Sequence, residues 1–489
     1  MSTLIVVNNP AKWPLDIPGV RVVSAKSYLT EPEFAQAAGA KVFNLCRHYA
    51  YQSMGYYVSL LAEARGQRPM PDIATIMNLR SLSMPRGMAA DVEEEIQKSL
   101  APLKSNEFTL SIYFGRNMAN RYERLALTLF NLFPAPFLRA AFKREESGWV
   151  MAGIGTISLG EVPDSHKPFI VQSATEYLQR KRLHKPRRSK SRYELAILFD
   201  AEEKHSPSCP RAIKRFSDAC WDLGINTELI DRNDYGRLAE FDALFIRQTT
   251  AVNHHTYRFA RRAQNLGLVV MDDPRSILRC TNKVYLAELL QRNNLPGPRT
   301  LIVHEDNIDE VARVLGLPCV LKRPDGAFSQ GVMKAADESE LRRTIEAMLQ
   351  DSDLLIAQEF VPTEFDWRVG VLDKRALYVC RYHMARQHWQ IAKHEEGTTR
   401  FGRTETLAVE EAPADVVKVA VKAANLIGDG LYGVDVKVVG DEPYIIEIND
   451  NPNLDAGTED AVLKEDLWRR LAGTFLRRIE AARVGLGNP

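Results

Sequence analysis

The 489-residue sequence is poor in cysteine: Cys46, Cys209, Cys220, Cys280, Cys319 and Cys380 are its six, and no two are spaced C-x-x-C. That excludes a zinc ribbon and a disulfide framework, and it fits a reducing compartment. No stretch stays apolar for long enough to span a bilayer, so no membrane partner is expected. The opening MSTLIVVNNPAKW has no basic segment leading into a long apolar one. No secretory signal is read there, and the cytoplasm is the expected location. Charge of one sign is also missing: the formal net charge is +1, so no global field steers the chain to nucleic acid or membrane.

What is present is an ordinary globular composition, 45% hydrophobic and 26% charged, in a chain long enough for two to four domains. The first block, residues 1–179, opens with a strand at Leu4–Val7. Helical spacing begins at Gly55 and is stopped by Gly66 and Pro69. Ahead of that helix lie Arg47, His48, Tyr49, Tyr51 and Ser53. They allow two readings, an anion dock at a helix start or core aromatics with Ser53 as a cap. Residues 107–115 read as a strand and 121–133 as an amphipathic helix. GIGTISLG, residues 153–160, lacks the G-x-G-x-x-G spacing of a nucleotide loop.

QRKRLHKPRRSKSR, residues 179–192, is basic and has no apolar period. It reads as a linker over residues 180–192. Contact with nucleic acid or a ribosome is the alternative there, not the expected one, because no aromatic is interleaved for base stacking. Residues 193–275 alternate strand and helix and predict a small parallel sheet. Arg247 closes one of its strands, where it would face either a cleft or the surface.

Residues 276–489 carry the chemistry. In PCVLKRPDGAFSQGVMKA, Lys322 emerges from a buried strand and is followed by a small-residue loop from Gly326 to Gly331. Backbone N–H groups in such a loop, at Ser329, Gln330 and Gly331, can cover phosphates while the lysine neutralises charge. The lysine precedes the glycines, so this is not a Walker A loop. In GVDVKVVGDEPYIIEINDNPNLDAG, two strands flank a Gly440-Asp441 turn. Glu447 and Asn449 share one face, and the hairpin can bring Asp435 beside them. Two carboxylates and an amide form an oxygen-only set suited to Mg²⁺ shared with substrate phosphates. A solvated hairpin face is the bland alternative.

D-V followed by E-I-N-x-N-P resembles the metal-binding end of the ATP-grasp superfamily, and specifically its RimK-like carboxylate–amine (alpha-L-glutamate) ligases. The first block is similar to the RimK-like ATP-grasp N-terminal domain. The resemblance implies an α/β and α+β multidomain chain: an N-terminal α/β domain, a small parallel-sheet pre-ATP-grasp domain over 193–275, then an ATP-grasp fold whose two α+β subdomains hold ATP between them. It implies that Lys283 and Lys322 contact nucleotide phosphate. Gln358, Glu359, Phe360 and Val361 would form the hinge that meets the adenine edge with backbone atoms and turns a carboxylate to the ribose. Asp366 and Arg368 match the family's D-x-R, and Asp435, Glu447 and Asn449 would hold Mg²⁺, or Mn²⁺ in its stead. Arg386 would stand over the transferring phosphoryl group, with Arg381 and His383 as further candidates. Gln387-His388-Trp389-Gln390 departs from the family's flexible loop and leaves substrate identity open.

The activity implied is ATP-dependent ligation of a small carboxylate, such as glutamate, to an amine, peptide or protein through an acyl-phosphate. A homo-oligomer is implied too. An ATP-binding regulatory protein without turnover is the alternative from another class.

Overall fold

The computed structural model describes residues 3–35, 40–80, 90–146, 148–178, 192–204, 206–325, 331–385, 388–395 and 398–485. Ser329, Gln330, Arg386, Gln387 and all but Arg192 of the basic linker therefore lie outside the described residues. The chain forms two compact units. One comprises Met1–Glu194 with Ile230–Phe241, the other Leu195–Leu229 with Asp242–Pro489. No described helix is long and apolar enough to cross a membrane.

In the first unit, β1 (Thr3–Val7), β2 (Arg21–Ser24), β3 (Lys41–Asn44) and β4 (Arg68–Met70) make a parallel sheet in the order β2-β1-β3-β4. Leu4, Ile5, Val6 and Val7 are all buried, as a parallel strand covered on both faces requires. β5 (Glu107–Tyr113), β6 (Phe137–Glu145) and β7 (Gly148–Thr156) form an antiparallel meander. GIGTISLG opens inside β7, where its glycines serve a strand and not a phosphate loop. The helix Met54–Ala64 is capped by Ser53, whose hydroxyl accepts from the Tyr56 amide at 3.2 Å. The Tyr49 hydroxyl donates to the Asn44 carbonyl at 2.5 Å, and the Arg47 amide to Asn8 Oδ1 at 2.7 Å. These contacts favour the capping reading over the anion dock. The segment Ile230–Phe241 is pinned in this unit by buried Glu240, which accepts from Lys41, Tyr177 and Arg237. Those cations hold its carboxyl far below the usual range against the opposing effect of burial.

Next come β8 (Tyr193–Phe199) and β9 (Ile225–Ile230), which fall in the second unit save for Tyr193, Glu194 and Ile230, with β10 (Ala243–Arg247) and β11 (Val269–Met271), ordered β11-β10-β8-β9; β8, β10 and β11 are parallel. An antiparallel sheet follows, with β12 (Thr300–Val303), β13 (Cys319–Lys322), β14 (Val332–Ala335) and β15 (Leu355–Glu359) in the order β12-β15-β13-β14. The second antiparallel sheet takes β16 (Phe365–Leu372) and β17 (Arg375–His383). The short pair β18 (Ala392–Glu395) and β19 (Thr398–Phe401) stands apart from it. With β20 (Thr404–Leu407), β21 (Leu431–Val439) and β22 (Glu442–Asn449), the larger sheet runs β20-β17-β16-β21-β22. The helix Ala414–Ile427 packs Val416, Ala420, Ala423 and Ala424 against one face of this sheet.

Two irregularities decide what the other face presents. Asp373 and Lys374 both have positive φ, +50° and +67°, the geometry of a tight two-residue hairpin turn between β16 and β17. A strict ladder from that turn would place Arg381 opposite Asp366. A register shift at Gly370/Val371 instead sets Arg381 opposite Trp367 and Cys380 opposite Arg368. Gly370 is required there, because a Cβ would lie 2.2 Å from the Tyr378 ring. The second shift falls between Asp435 and Val436, so that Glu447 pairs with Asp435 while Ile445 pairs with Val436. Ile446 is the extra residue, and it lines the same cavity as Glu447.

Candidate active site

The helix Lys283–Arg292 starts at Asn282, whose side chain accepts from the Tyr285 amide at 2.9 Å. Its first residue, Lys283, places Nζ 3.3 Å from Glu447 Oε1. Lys322 ends β13 at the same place. Burial lowers its ammonium to a pKa of about 8, with Glu447 opposing the shift. The two lysines also hold the buried Glu447 carboxyl below its usual value despite the cost of burial.

Lys283, Lys322, Gln358, Glu359, Phe360, Val361, Asp366, Asp435 and Glu447 all line one cavity of about 120 Å³. These residues come from both antiparallel sheets and the helix between them. Three expected residues stand off its wall: Gly331, Arg368 and Asn449. Arg368 is turned onto Asp435, donating from Nε and Nη2 to the two carboxylate oxygens at 2.6 and 2.7 Å. Burial pushes the Asp435 carboxyl up, and Arg368 pulls against that rise. The Arg368 guanidinium also lies over the Tyr382 ring at 4.9 Å. Asn449 donates weakly to Gly433 O at 3.3 Å and toward Asp435 Oδ2 at 3.4 Å.

Several expectations are corrected. Arg381 and His383 are on the opposite face of the sheet, Arg381 over the Trp367 and Phe365 rings at 4.7 and 5.2 Å, because the Gly370 bulge reverses the parity of β17. The Glu359 carboxylate, expected to face a ribose, is engaged within the protein. It accepts from the Arg299 amide at 2.8 Å and from Arg299 Nε at 2.6 Å. Asp366 is bound by Lys437 Nζ at 2.6 Å, and the same ammonium donates to Thr363 Oγ1 at 2.7 Å. Lys437 lines the cavity and was not read from the sequence, although it sits two residues from Asp435 and so on the same face. Trp389 joins the cavity wall, edge-on to Phe360 with ring centroids 5.9 Å apart, and Lys334 Nζ lies 4.8 Å from the Phe360 centroid.

Arg247 is neither at the surface nor in the cavity. It is fully buried and clamps the loop after β22. Its guanidinium donates to Asn451 Oδ1 at 2.5 Å, Pro452 O at 2.8 Å, Pro207 O at 2.6 Å and Ser208 Oγ at 3.0 Å. Tyr378 adds a bond from its hydroxyl to Asn453 O at 3.1 Å. Close packing here demands Gly433, since a Cβ would meet Pro452 Cβ at 2.7 Å. Asp450, between this loop and Asn449, is buried and pushed up to about 6.

The donor chemistry fits Mg²⁺. Asp435 and Glu447 are directly opposite in register, with Asn449 two residues on, and all three offer hard oxygens. No group of three or more His, Cys, Asp or Glu forms a metal cage among the described residues. Two carboxylates and an amide would hold the ion here, and it would supply charge neutralisation. Each carboxylate has a cationic neighbour of its own, Arg368 or Lys283, which compensates its charge.

A cleft of two antiparallel sheets with lysines, a strand-end hinge and an acidic hairpin defines the ATP-grasp class. Residues 25–173 match the family described as the RimK-like ATPgrasp N-terminal domain, and residues 280–453 match the ATP-grasp domain. A probable alpha-L-glutamate ligase of Vibrio vulnificus (strain YJ016) is 28% identical over 232 residues, 47% of this chain and 74% of that protein. The alpha-aminoadipate–LysW ligase LysX of Sulfurisphaera tokodaii is 28% identical over 196 residues, 39% of this chain and 66% of that one. Among solved structures, a RimK domain ATP-grasp protein from Sphaerobacter thermophilus aligns at 17% identity with a TM-score of 0.44, over 57% of this chain and 98% of its own. The chain carries a RimK-like ATP-grasp N-terminal domain and an ATP-grasp domain, the latter spanning the two lysines, the hinge and the acidic hairpin, and the relatives it resembles are ligases.

Proposed function

We propose that the chain attaches an amino acid such as glutamate, through its carboxylate, to the amine of a small molecule, peptide or protein, by way of an acyl-phosphate. The carrying observation is that Lys283, Lys322, the 358–361 hinge, Asp435 and Glu447 line one cavity. In this reading Lys283 and Lys322 bind the nucleotide phosphates, and hinge backbone groups from Glu359 to Val361 meet the base. Asp435, Glu447 and Asn449 would hold Mg²⁺, which when bound neutralises phosphate charge. Arg368 acts as a positioning residue that fixes the Asp435 carboxylate by a two-pronged bond. Arg386 and the loop of Ser329, Gln330 and Gly331 remain the proposed groups for the phosphoryl oxygens. Phosphoryl transfer needs placement and charge neutralisation more than covalent help, and these residues supply both.

The family resemblance also supports a cytoplasmic homo-oligomer. The relatives' names, alpha-L-glutamate ligase and alpha-aminoadipate–LysW ligase, support an acidic amino acid as one of the two substrates. The test traps the activated carboxylate. With Mg·ATP, glutamate and hydroxylamine, the wild type should form a hydroxamate and ADP in equal amounts, and Glu447→Gln should form neither. Equal hydroxamate from the variant would sink the assignment.

A further inference from the structure

A second cavity of about 240 Å³ lies beside the first and shares with it Lys283, Pro298, Lys322, Gln358 and Ile446. It opens between the helix Lys283–Arg292 and the β12-β15 face of the sheet. Its wall mixes hydrocarbon from Leu286, Leu290, Leu295, Ile302, Ile356 and Ile446 with polar groups, Thr300 and Gln358 among them. Its mouth carries Glu288 and Gln291, both exposed, and its deep end carries the two lysines. The cavity is thus of mixed character, with aliphatic side chains from the helix and the sheet and the two lysines where it meets the first cavity. An apolar cavity of about 150 Å³ holds a benzene ring, so this one has room for roughly eight to ten non-hydrogen atoms.

We infer that this cavity is a binding site for a short aliphatic carboxylate, whose headgroup sits on Lys283 and Lys322 and whose chain fills the leucine and isoleucine pocket. Lys322, drawn from water by its surroundings, gains from an anion as a nucleotide phosphate would give. The consequence is regulation by exclusion. The two lysines cannot serve a carboxylate from one side and phosphates from the other at full strength, so the acid and the nucleotide oppose each other's binding reciprocally. This rests on the proposed function only in placing nucleotide phosphates on the two lysines.

Hexanoate is the probe, because its six carbons and carboxylate match the volume and the charge. Binding is read on the full-length protein without nucleotide by saturation-transfer NMR, and separately as the apparent ATP affinity by calorimetry. Hexanoate should bind while hexanamide of the same shape does not. At ten times its own dissociation constant, hexanoate should weaken ATP binding roughly tenfold. Ala287→Phe, on the half-exposed cavity wall of the helix, should fill the space. It should abolish hexanoate binding and leave ATP affinity within about twofold; Ile302→Phe is the second filling variant if the first alters the melting temperature. No hexanoate signal, equal binding of hexanamide, binding that survives both variants, or an ATP affinity untouched by bound hexanoate would each overturn the inference. Failure of ATP itself to bind in the absence of hexanoate would instead count against the proposed function, and the NMR signal would still decide the cavity.

Discussion

Arg247→Met tests the claim that the end of the parallel sheet holds the loop behind the metal hairpin. The substitution keeps the hydrocarbon stem and removes every donor. Four acceptors lose a partner. Pro207 O keeps a bond from the Leu454 amide at 2.9 Å, and the Ser208 hydroxyl still donates to Leu454 O at 2.9 Å. Pro452 O and Asn451 Oδ1 lose the Arg247 bond outright. A buried acceptor, Pro452 O, and a half-buried one, Asn451 Oδ1, left unsatisfied cost about 2–4 kcal/mol together. Buried Asp272 also loses Arg247, which offsets the burial that raises its carboxyl, and this pushes the cost toward the upper end. A local readout separates the loop from the rest of the chain. Native-state hydrogen exchange at the Leu454 amide serves, since that amide is bonded inside the clamped loop. A loss of about 2 kcal/mol there speeds exchange roughly thirtyfold. Arg247→Lys should recover little, because one ammonium cannot replace a planar fork spread over four acceptors. Exchange within about threefold of wild type in the Met variant would refute the clamp.

Three further outcomes are expected. ATP affinity should fall as pH rises through Lys322's value of about 8: phosphates bind the charged ammonium, which is mostly present below that pH, so the loss from pH 7 to pH 9 is roughly tenfold. Calorimetry across that range should show it and Lys322→Met should flatten it; a flat wild-type profile contradicts the lysine's role. Gly433→Ala should destabilise the second unit by about 1–3 kcal/mol, since its Cβ meets Pro452 and the opposite residue is Asn449, and a thermal shift near zero would show that the contact yields freely. Glu359→Gln should leave ATP affinity within about twofold and cost under about 1 kcal/mol of stability, because its carboxylate is engaged by a largely exposed Arg299; a tenfold loss of ATP binding would mean that the carboxylate reaches the nucleotide.

The hairpin was legible because strand alternation alone puts Asp435, Glu447 and Asn449 on one face, and the register sets the first two opposite each other. Lys322 and the hinge were legible as strand ends flanked by buried apolar runs, and Lys283, at a helix start, through the family resemblance. Arg381 and His383 were misplaced because parity across β16 and β17 depends on one bulge, and a single extra residue exchanges the faces of a whole strand. Gly370 beside Tyr378 is the only local sign of it. The clamp by Arg247 had no local signal, since its partners Asn451 and Pro452 lie more than two hundred positions away and are chosen by tertiary packing. Lys437 and its bond to Asp366 could have been found by extending the alternation one step past Asp435.

The most direct measurement is phosphate release from Mg·ATP by the full-length protein with a panel of amino acids and short peptides, read together with product masses. The account predicts release that depends on one acid and one amine together, with a product lighter than their sum by one water. Tight ATP binding with no release for any acid, and no hydroxamate when hydroxylamine replaces the amine, would contradict it.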